Sequence, residues 1–252
     1  MTEKKKIAIL YIATGRYICF WENFYRSMEC LFLPGFEKTY FMFTDHIDLE
    51  YPKNVICTYV SQLPWPGPTL KRFDYFWRVH DQLKKYDFTF FLNANMLPIR
   101  EIGSEILPDS KQKLMLVDHF YWSGQPRKRW PYDTNPHSTA CILPTEGNHY
   151  VMGGFNGGIT SDYLHLVETL KKNTEIDEQK GIVAAWHDES HLNRYLIDYV
   201  KSGGTPLILN SKYAYPQEGL NNPLYTHLNP FLPPNMIIQD KKLWGDLRDY
   251  AK

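Results

Sequence analysis

Three short stretches of the 252-residue chain gather residue types able to do chemistry. Asn93-Ala94-Asn95 directly follows the apolar run Phe88–Leu92. Two amides at i and i+2 point the same way from the end of a buried strand, and ligands of α/β sheets bind outside such carboxyl ends. Two aspartates there would suit a hard cation holding a diphosphate. Asparagines supply oxygens and amide donors without the two charges, and a polar turn closing a strand is the plainer reading. Met152-Gly153-Gly154-Phe155-Asn156-Gly157-Gly158 puts four glycines in six positions, which lets another group approach the backbone closely. Phe155 stands where a dinucleotide fingerprint needs its second glycine, and no Gly-Lys-[Ser/Thr] follows. On residues alone this segment reads as a tight turn or a close-approach site.

Trp186-His187-Asp188-Glu189-Ser190-His191 is the densest group of titratable residues. If it opens a helix, Asp188 suits the N-cap and the acids sit at the positive end of the dipole. His187 and His191 at i and i+4 imitate a zinc-binding pair, but the glutamate of HExxH directly follows the first histidine. Here it lies two positions on, roughly 200° round the helix, and faces away. A structural cap and a catalytic carboxylate remain the two main readings.

The elements that must position these groups follow from the apolar pattern. Lys6–Ala13, Thr39–Thr44, Val55–Val60 and Phe88–Leu92 read as strands, and Tyr17–Phe32 and Leu70–Tyr86 as helices. The alternation predicts a parallel sheet covered by helices. Further on, Lys113–Val117 and Ala140–Leu143 read as strands, and Tyr163–Lys172 and Glu189–Val200 as helices. Tyr121–Pro136 is a long aromatic loop of the kind that serves function. From Pro216 the chain turns Pro- and Asn-rich, with basic residues near its end. No repeat or linker interrupts it, so one domain with a tail is expected.

Composition removes several function classes. Hydrophobic residues are 43% and charged residues 22%, an ordinary globular balance with ample core material. Lys+Arg and Asp+Glu are both 28, which argues against a nucleic-acid binder. Aromatics at 15% suit a large core or sugar faces. Cys19, Cys30, Cys57 and Cys141 form no CxxC pair and are expected to be buried reduced thiols. The apolar run Ile7–Ala13 is far below the ~18 residues of a membrane span, and no clean cleavage site follows it. No N-x-[Ser/Thr] sequon occurs. A cytoplasmic chain without signal or anchor is the expectation.

Taken together and in this order, the three clusters resemble the family 6 retaining glycosyltransferases, which include the histo-blood-group A and B transferases and the α-1,3-galactosyltransferases. The similarity runs from about Lys6 to about Leu220. Its most specific element is Trp186–Asn193, Trp-His-Asp-Glu-Ser-His-Leu-Asn, supported by Tyr40–Asp45 and by the Gly-Gly-Phe-x-Gly-Gly run at Gly153–Gly158. The resemblance implies an α/β GT-A fold, a Rossmann-like mixed sheet flanked by helices. Residues 6–110 would mainly bind a UDP-sugar, 111–220 would hold the acceptor and catalytic half, and 221–252 would form a tail.

Carried over residue by residue, Ile12, Ala13, Thr14 and Tyr17 would line the uridine end of the donor. Trp65, Arg72, Asn93, Ala94, Asn95, Met152, Gly153, Gly154 and Asp188 would complete the donor site. His119, Trp186 and Tyr213 would meet the acceptor, and Glu189 would lie beneath the anomeric carbon. Lys241, Lys242 and Arg248 would close over the diphosphate. Two departures stand out. Asn93-Ala94-Asn95 replaces the Asp-x-Asp with which the mammalian enzymes bind manganese, as in bacterial members, so no metal or other cofactor is expected. Pro216 replaces an acceptor-site aspartate. The implied reaction moves N-acetylgalactosamine from UDP-GalNAc to the galactose 3-hydroxyl of a fucosylated (Fucα1,2-Gal) glycan. UDP-galactose is the alternative donor, and a lectin or a zinc hydrolase is a distant alternative.

Overall fold

The computed structural model describes residues 4–220, 222, 233–245 and 247. Its centre is β1 (Lys6–Ile12), buried along both faces. Parallel partners flank it: β2 (Glu37–Thr44) on one side and β4 (Phe88–Leu92) on the other. Outside β2 lies β3 (Val55–Tyr59), also parallel. β5 (Met96–Pro98) leaves this sheet, which continues from β4 through β7 (Val151–Ile159), β6 (Leu114–Asp118) and β8 (Leu207–Leu209). β7 runs antiparallel to both β4 and β6, so the seven-stranded sheet β3-β2-β1-β4-β7-β6-β8 is mixed. This is the α/β, GT-A-like architecture expected.

Strand alternation sorts β1 between two cores. Ile7, Ile9 and Tyr11 face α1 (Trp21–Leu31), through Trp21, Phe24 and Met28. A second sheet packs on that side, with order β5-β10-β9, where β9 is Tyr215–Pro216 and β10 is Met236–Ile238. Ala8 and Leu10 face the other layer. There α2 (Gly67–Leu70), α3 (Arg72–Arg78) and α4 (His80–Leu83) precede the long α5 (Thr160–Gln179) and α6 (Asp188–Lys201). Phe73, Phe76, Tyr163, Leu166 and Leu192 fill that core.

Several expectations need correction. The Leu70–Tyr86 helix is three short helices, and Tyr17–Phe32 opens with a 3-10 helix, Gly15–Phe20, before α1. Ala140–Leu143 is no strand; it is irregular backbone whose Ile142 N–H donates to the Asp133 carbonyl. Met152–Gly158 is no turn but the body of β7, wedged between two partners. A side chain at Gly158 would meet the Lys113 carbonyl, and one at Gly157 the Phe90 ring and the Thr89 carbonyl. All four cysteines are free thiols, but Cys19 and Cys30 are exposed and Cys57 and Cys141 half-buried. Among the described residues, no helix is long and apolar enough to cross a membrane.

Candidate active site

β1 continues to β2 on one side, while β4 lies on its other side. The parallel carboxyl ends of β1 and β4 thus diverge at a topological switch point, where α/β sheets hold ligands. A cavity of about 590 Å³ opens there. Ile12, Thr14 and Tyr17 line it from the end of β1, and Phe91, Asn93, Ala94 and Asn95 from the end of β4. Trp65 and Arg72 come from the loop and helix after β3, and Trp186 and Lys241 close the rim. Ten of the residues expected at the donor, acceptor or tail therefore share one wall. Ala13 is buried just behind it, its N–H on the Phe43 carbonyl. Gln62, Leu63, Pro68, Thr69 and Leu247 also line the cavity. Single apolar, hydroxyl and amide residues, four of them around the proline-rich loop and Leu247 near the end of the chain, carried no chemical signal in the sequence.

Arg72 joins this cavity to the Asp188-Glu189 turn. It is 6% exposed, and its guanidinium stacks 4.3 Å from the Phe91 ring centroid. Nη1 donates to the Gly153 carbonyl at 3.0 Å and pairs with Asp188 Oδ2; Nη2 donates to Asn93 Oδ1 at 3.1 Å. Its buried Nε has no protein partner among the described residues.

α6 begins after His187, whose φ of 53° turns the chain sharply. Asp188 is therefore not the N-cap; it is the first helical residue, and its carboxylate turns to Arg72. Glu189 is held at both oxygens: Tyr150 Oη donates to Oε1 at 2.8 Å and the Gly153 N–H to Oε2 at 2.8 Å. Burial raises both carboxyls, Asp188 to about 6 against the pull of Arg72, and Glu189 against its two donors. One guanidinium facing two buried acids leaves net negative charge in a partly dry site. Asn193 fastens α6 to β7, exchanging two hydrogen bonds with Val151 and donating to the Glu189 carbonyl. His191 is buried beside Asp177 and Thr139, on the core side of α6.

Gly153 and Gly154 are small because charged and amide groups crowd them. A side-chain carbon at Gly153 would sit 2.7 Å from Asp188 Oδ2, and one at Gly154 2.5 Å from Asn93 Nδ2 and 2.7 Å from the Met152 methyl. The Asn93 N–H also donates to the Gly154 carbonyl at 2.8 Å. Asn95 behaves differently: its amide donates to the Gln239 carbonyl at 2.9 Å. The end of β4 offers two amides where a divalent ion at a diphosphate is normally held by one or two carboxylates. Asn93 Oδ1 is already bonded to a guanidinium, and no group of three His, Cys, Asp or Glu side chains able to hold a metal occurs among the described residues.

On the other side of Glu189 the aromatic loop builds a second surface. His119 packs 5.7 Å from Tyr150, between Tyr121 and Trp122. Burial lowers its imidazole to about 4, so it is neutral at pH 7. The Tyr121 N–H donates to Nδ1 at 3.3 Å, which leaves Nε2 to carry the proton. Tyr150 links this surface to Glu189, and sequence reasoning missed it, because a lone Tyr before a glycine run looks like core. Trp65 and Trp186 are both more than half exposed, and Trp65 meets His187 edge-on at 5.2 Å. Tyr213, expected at the acceptor, is buried in the α1-side core with its hydroxyl on Glu105. Lys242 is exposed and off the cavity wall, and Arg248 lies outside the described residues.

Comparison with known proteins gives the family. Residues 1–218 match the model of glycosyltransferase family 6. The chain is 35% identical over 214 residues to the O-antigen biosynthesis glycosyltransferase WbnI of Escherichia coli, covering 84% of this chain and 88% of that protein. It is 28% identical over 227 residues to the histo-blood group ABO system transferase 1 of Rattus norvegicus, 86% of this chain and 63% of the rat protein. Over 206 residues it is 26% identical to the globoside alpha-1,3-N-acetylgalactosaminyltransferase 1 of Gallus gallus, 78% of this chain and 59% of the chicken protein. The chain thus spans about three fifths of those two animal relatives. It belongs to glycosyltransferase family 6 and is an enzyme that moves a sugar from a donor to a glycan acceptor.

Proposed function

We propose that the chain transfers N-acetylgalactosamine from UDP-GalNAc to the 3-hydroxyl of galactose in a Fucα1,2-Gal glycan, with retention at the anomeric carbon and without a metal ion. The observation that carries the reading is the Arg72 guanidinium. It ties the cavity residue Asn93 to Asp188 and Gly153, one residue from Glu189 and on Glu189's own hydrogen-bond donor. The nucleotide would lie along Ile12, Thr14 and Tyr17, with its diphosphate towards Arg72 and Lys241. A cation at 3.1 Å from Asn93 Oδ1 meets phosphate charge as a metal would, and disfavours a dication beside it.

In the reaction the bond from the sugar's anomeric carbon to the phosphate oxygen breaks, and UDP leaves with the electron pair. A bond to the galactose O3 forms on the same face. The ionised Glu189 carboxylate acts on the anomeric carbon, as nucleophile or as counter-charge to an oxocarbenium-like ion. In the nucleophile route O3 then displaces Glu189, whose carboxylate leaves with the electron pair of its bond to the anomeric carbon; in either route the O3 proton passes to the phosphate oxygen of UDP. His119, neutral with its proton on Nε2, is placed to donate to an acceptor hydroxyl, and the exposed faces of Trp65 and Trp186 suit sugar rings.

Gly154 supports the N-acetylated donor only through the family position it matches, where a larger residue would crowd C2; here Asn93 Nδ2 and the Met152 methyl fill the space that a side chain would take. The alpha-1,3-N-acetylgalactosaminyl specificity in the chicken relative's name agrees with that donor. Met152 favours the second reading, UDP-galactose, because it matches the galactose-type residue at its position. UDP release with a Fucα1,2-Gal acceptor separates the two. We expect a higher kcat/KM for UDP-GalNAc, and a clear preference for UDP-galactose would select the second reading. Glycan binding with no UDP release from either donor would leave a lectin.

A further inference from the structure

Asn93 and Asn95 lie two residues apart but do different work. Asn93 holds its side chain at the Arg72 guanidinium on the cavity wall. Asn95, 3% exposed, exchanges two hydrogen bonds with one distant residue: its amide donates to the Gln239 carbonyl at 2.9 Å, and its own carbonyl accepts the Gln239 N–H at 2.8 Å. Gln239 directly follows β10, whose Ile238 pairs with Met96 of β5. Asn95 thus extends the β5–β10 ladder by one more pair, closed by a side chain.

Immediately beyond Gln239 the chain reaches the basic end of the cavity. Asp240 Oδ1 accepts the Lys242 N–H at 3.0 Å and starts a 3-10 turn, Lys241–Trp244. That turn sets Lys241 Nζ 5.0 Å from the Tyr17 ring centroid and Trp244 5.0 Å from Phe20. Only Asp240 separates Lys241 from the clamped residue.

We propose that Asn95 is a positioning residue, a clamp that fastens the C-terminal segment to the sheet and so holds Lys241 at the donor cavity. The proposal rests on the reading of that cavity as the UDP-sugar site. It also explains chemically why an amide stands here. The side-chain donor faces a carbonyl oxygen, and a carboxylate would set oxygen against oxygen in a buried place, leaving the Gln239 carbonyl unmet.

The test compares Asn95→Asp, Asn95→Ser, Lys241→Ala and the double variant Asn95→Asp/Lys241→Ala with the intact chain. Amide hydrogen exchange of peptides spanning 236–245, without any donor, should rise ~10-fold or more in Asn95→Asp, the scale of one unmade buried hydrogen bond. Asn95→Ser, which removes the amide without adding charge, should show the rise in the same peptides, and it serves if the Asp variant fails to fold. Lys241→Ala should leave exchange there unchanged. In turnover, both Asn95→Asp and Lys241→Ala should raise the donor KM several-fold more than they lower kcat. The double variant should be no worse than the weaker single, because both act through the same lysine. Unchanged exchange in both Asn95 variants would overturn the clamp, whatever the cavity binds. Raised exchange with KM effects that multiply would overturn the route through Lys241 and place Asn95 on the donor itself.

Discussion

Glu189 is fixed by Tyr150 and the Gly153 N–H, a geometry that a helix-start acid would not need. Glu189→Gln keeps the shape and removes the charge, so kcat should fall at least ~10²-fold, the scale of losing one preorganised electrostatic group. The affinity for UDP, measured by calorimetry, should change little; near-normal turnover would remove Glu189 from the chemistry. The raised carboxyls add a pH signature. Asp188 pairs with Arg72 only when ionised, and burial sets it at about 6, so kcat/KM should fall on the acid side with a limb near pH 6. The folded chain holds this proton more tightly than the unfolded chain, whose aspartates titrate near ~3.9. Acidification through that window therefore favours the folded state as far as this group is concerned. Activity should fade there without any unfolding that this group causes, and a limb near pH 4 would place the titrating group elsewhere.

Glycines decide the central element. The run Met152–Gly158 reads in sequence as a tight turn or a close-approach site, and it forms β7, with β4 and β6 backbone so near Gly157 and Gly158 that side chains would clash. Its fitness depends on Phe90, Thr89 and Lys113, all distant in sequence, so no local pattern announces it. The β1, β2, β3 and β4 strands were legible because apolar runs bounded by turn residues are local signals. Leu70–Tyr86 kept its apolar period, but the chain bends at Lys71 and Val79, and that bend sets the face on which Arg72 leaves the helix. Gly157→Ala would press a methyl group into Phe90 and the Thr89 carbonyl, which should cost about 1–3 kcal/mol of stability. Urea unfolding checks it, and an unchanged midpoint would show that β4 and β7 can part without penalty.

At the scale of the molecule, the two parallel ends at the switch point open a cavity, Arg72 ties it to the turn of α6, and the aromatic loop lies on the other side of Glu189. The motif Trp186–Asn193 foretold that turn, since it holds the acid, its ion-paired neighbour and the Asn193 that pins the helix to β7. The aromatic loop was legible as a long loop, but Tyr150 beside Glu189 was not, and Tyr213 packs in the core although the resemblance puts it at the acceptor. Both differences come from tertiary packing, which the residues next to Tyr150 and Tyr213 in sequence do not reveal. The site balances its charges from within, with Arg72 and Lys241 towards the cavity and two acids behind. The measurement that bears most directly on this account is UDP release from UDP-GalNAc with a Fucα1,2-Gal acceptor in excess EDTA, with the product's linkage determined. The account predicts an undiminished rate, little gain from added manganese, and an α-1,3-linked product; abolition by EDTA with recovery in manganese would contradict it.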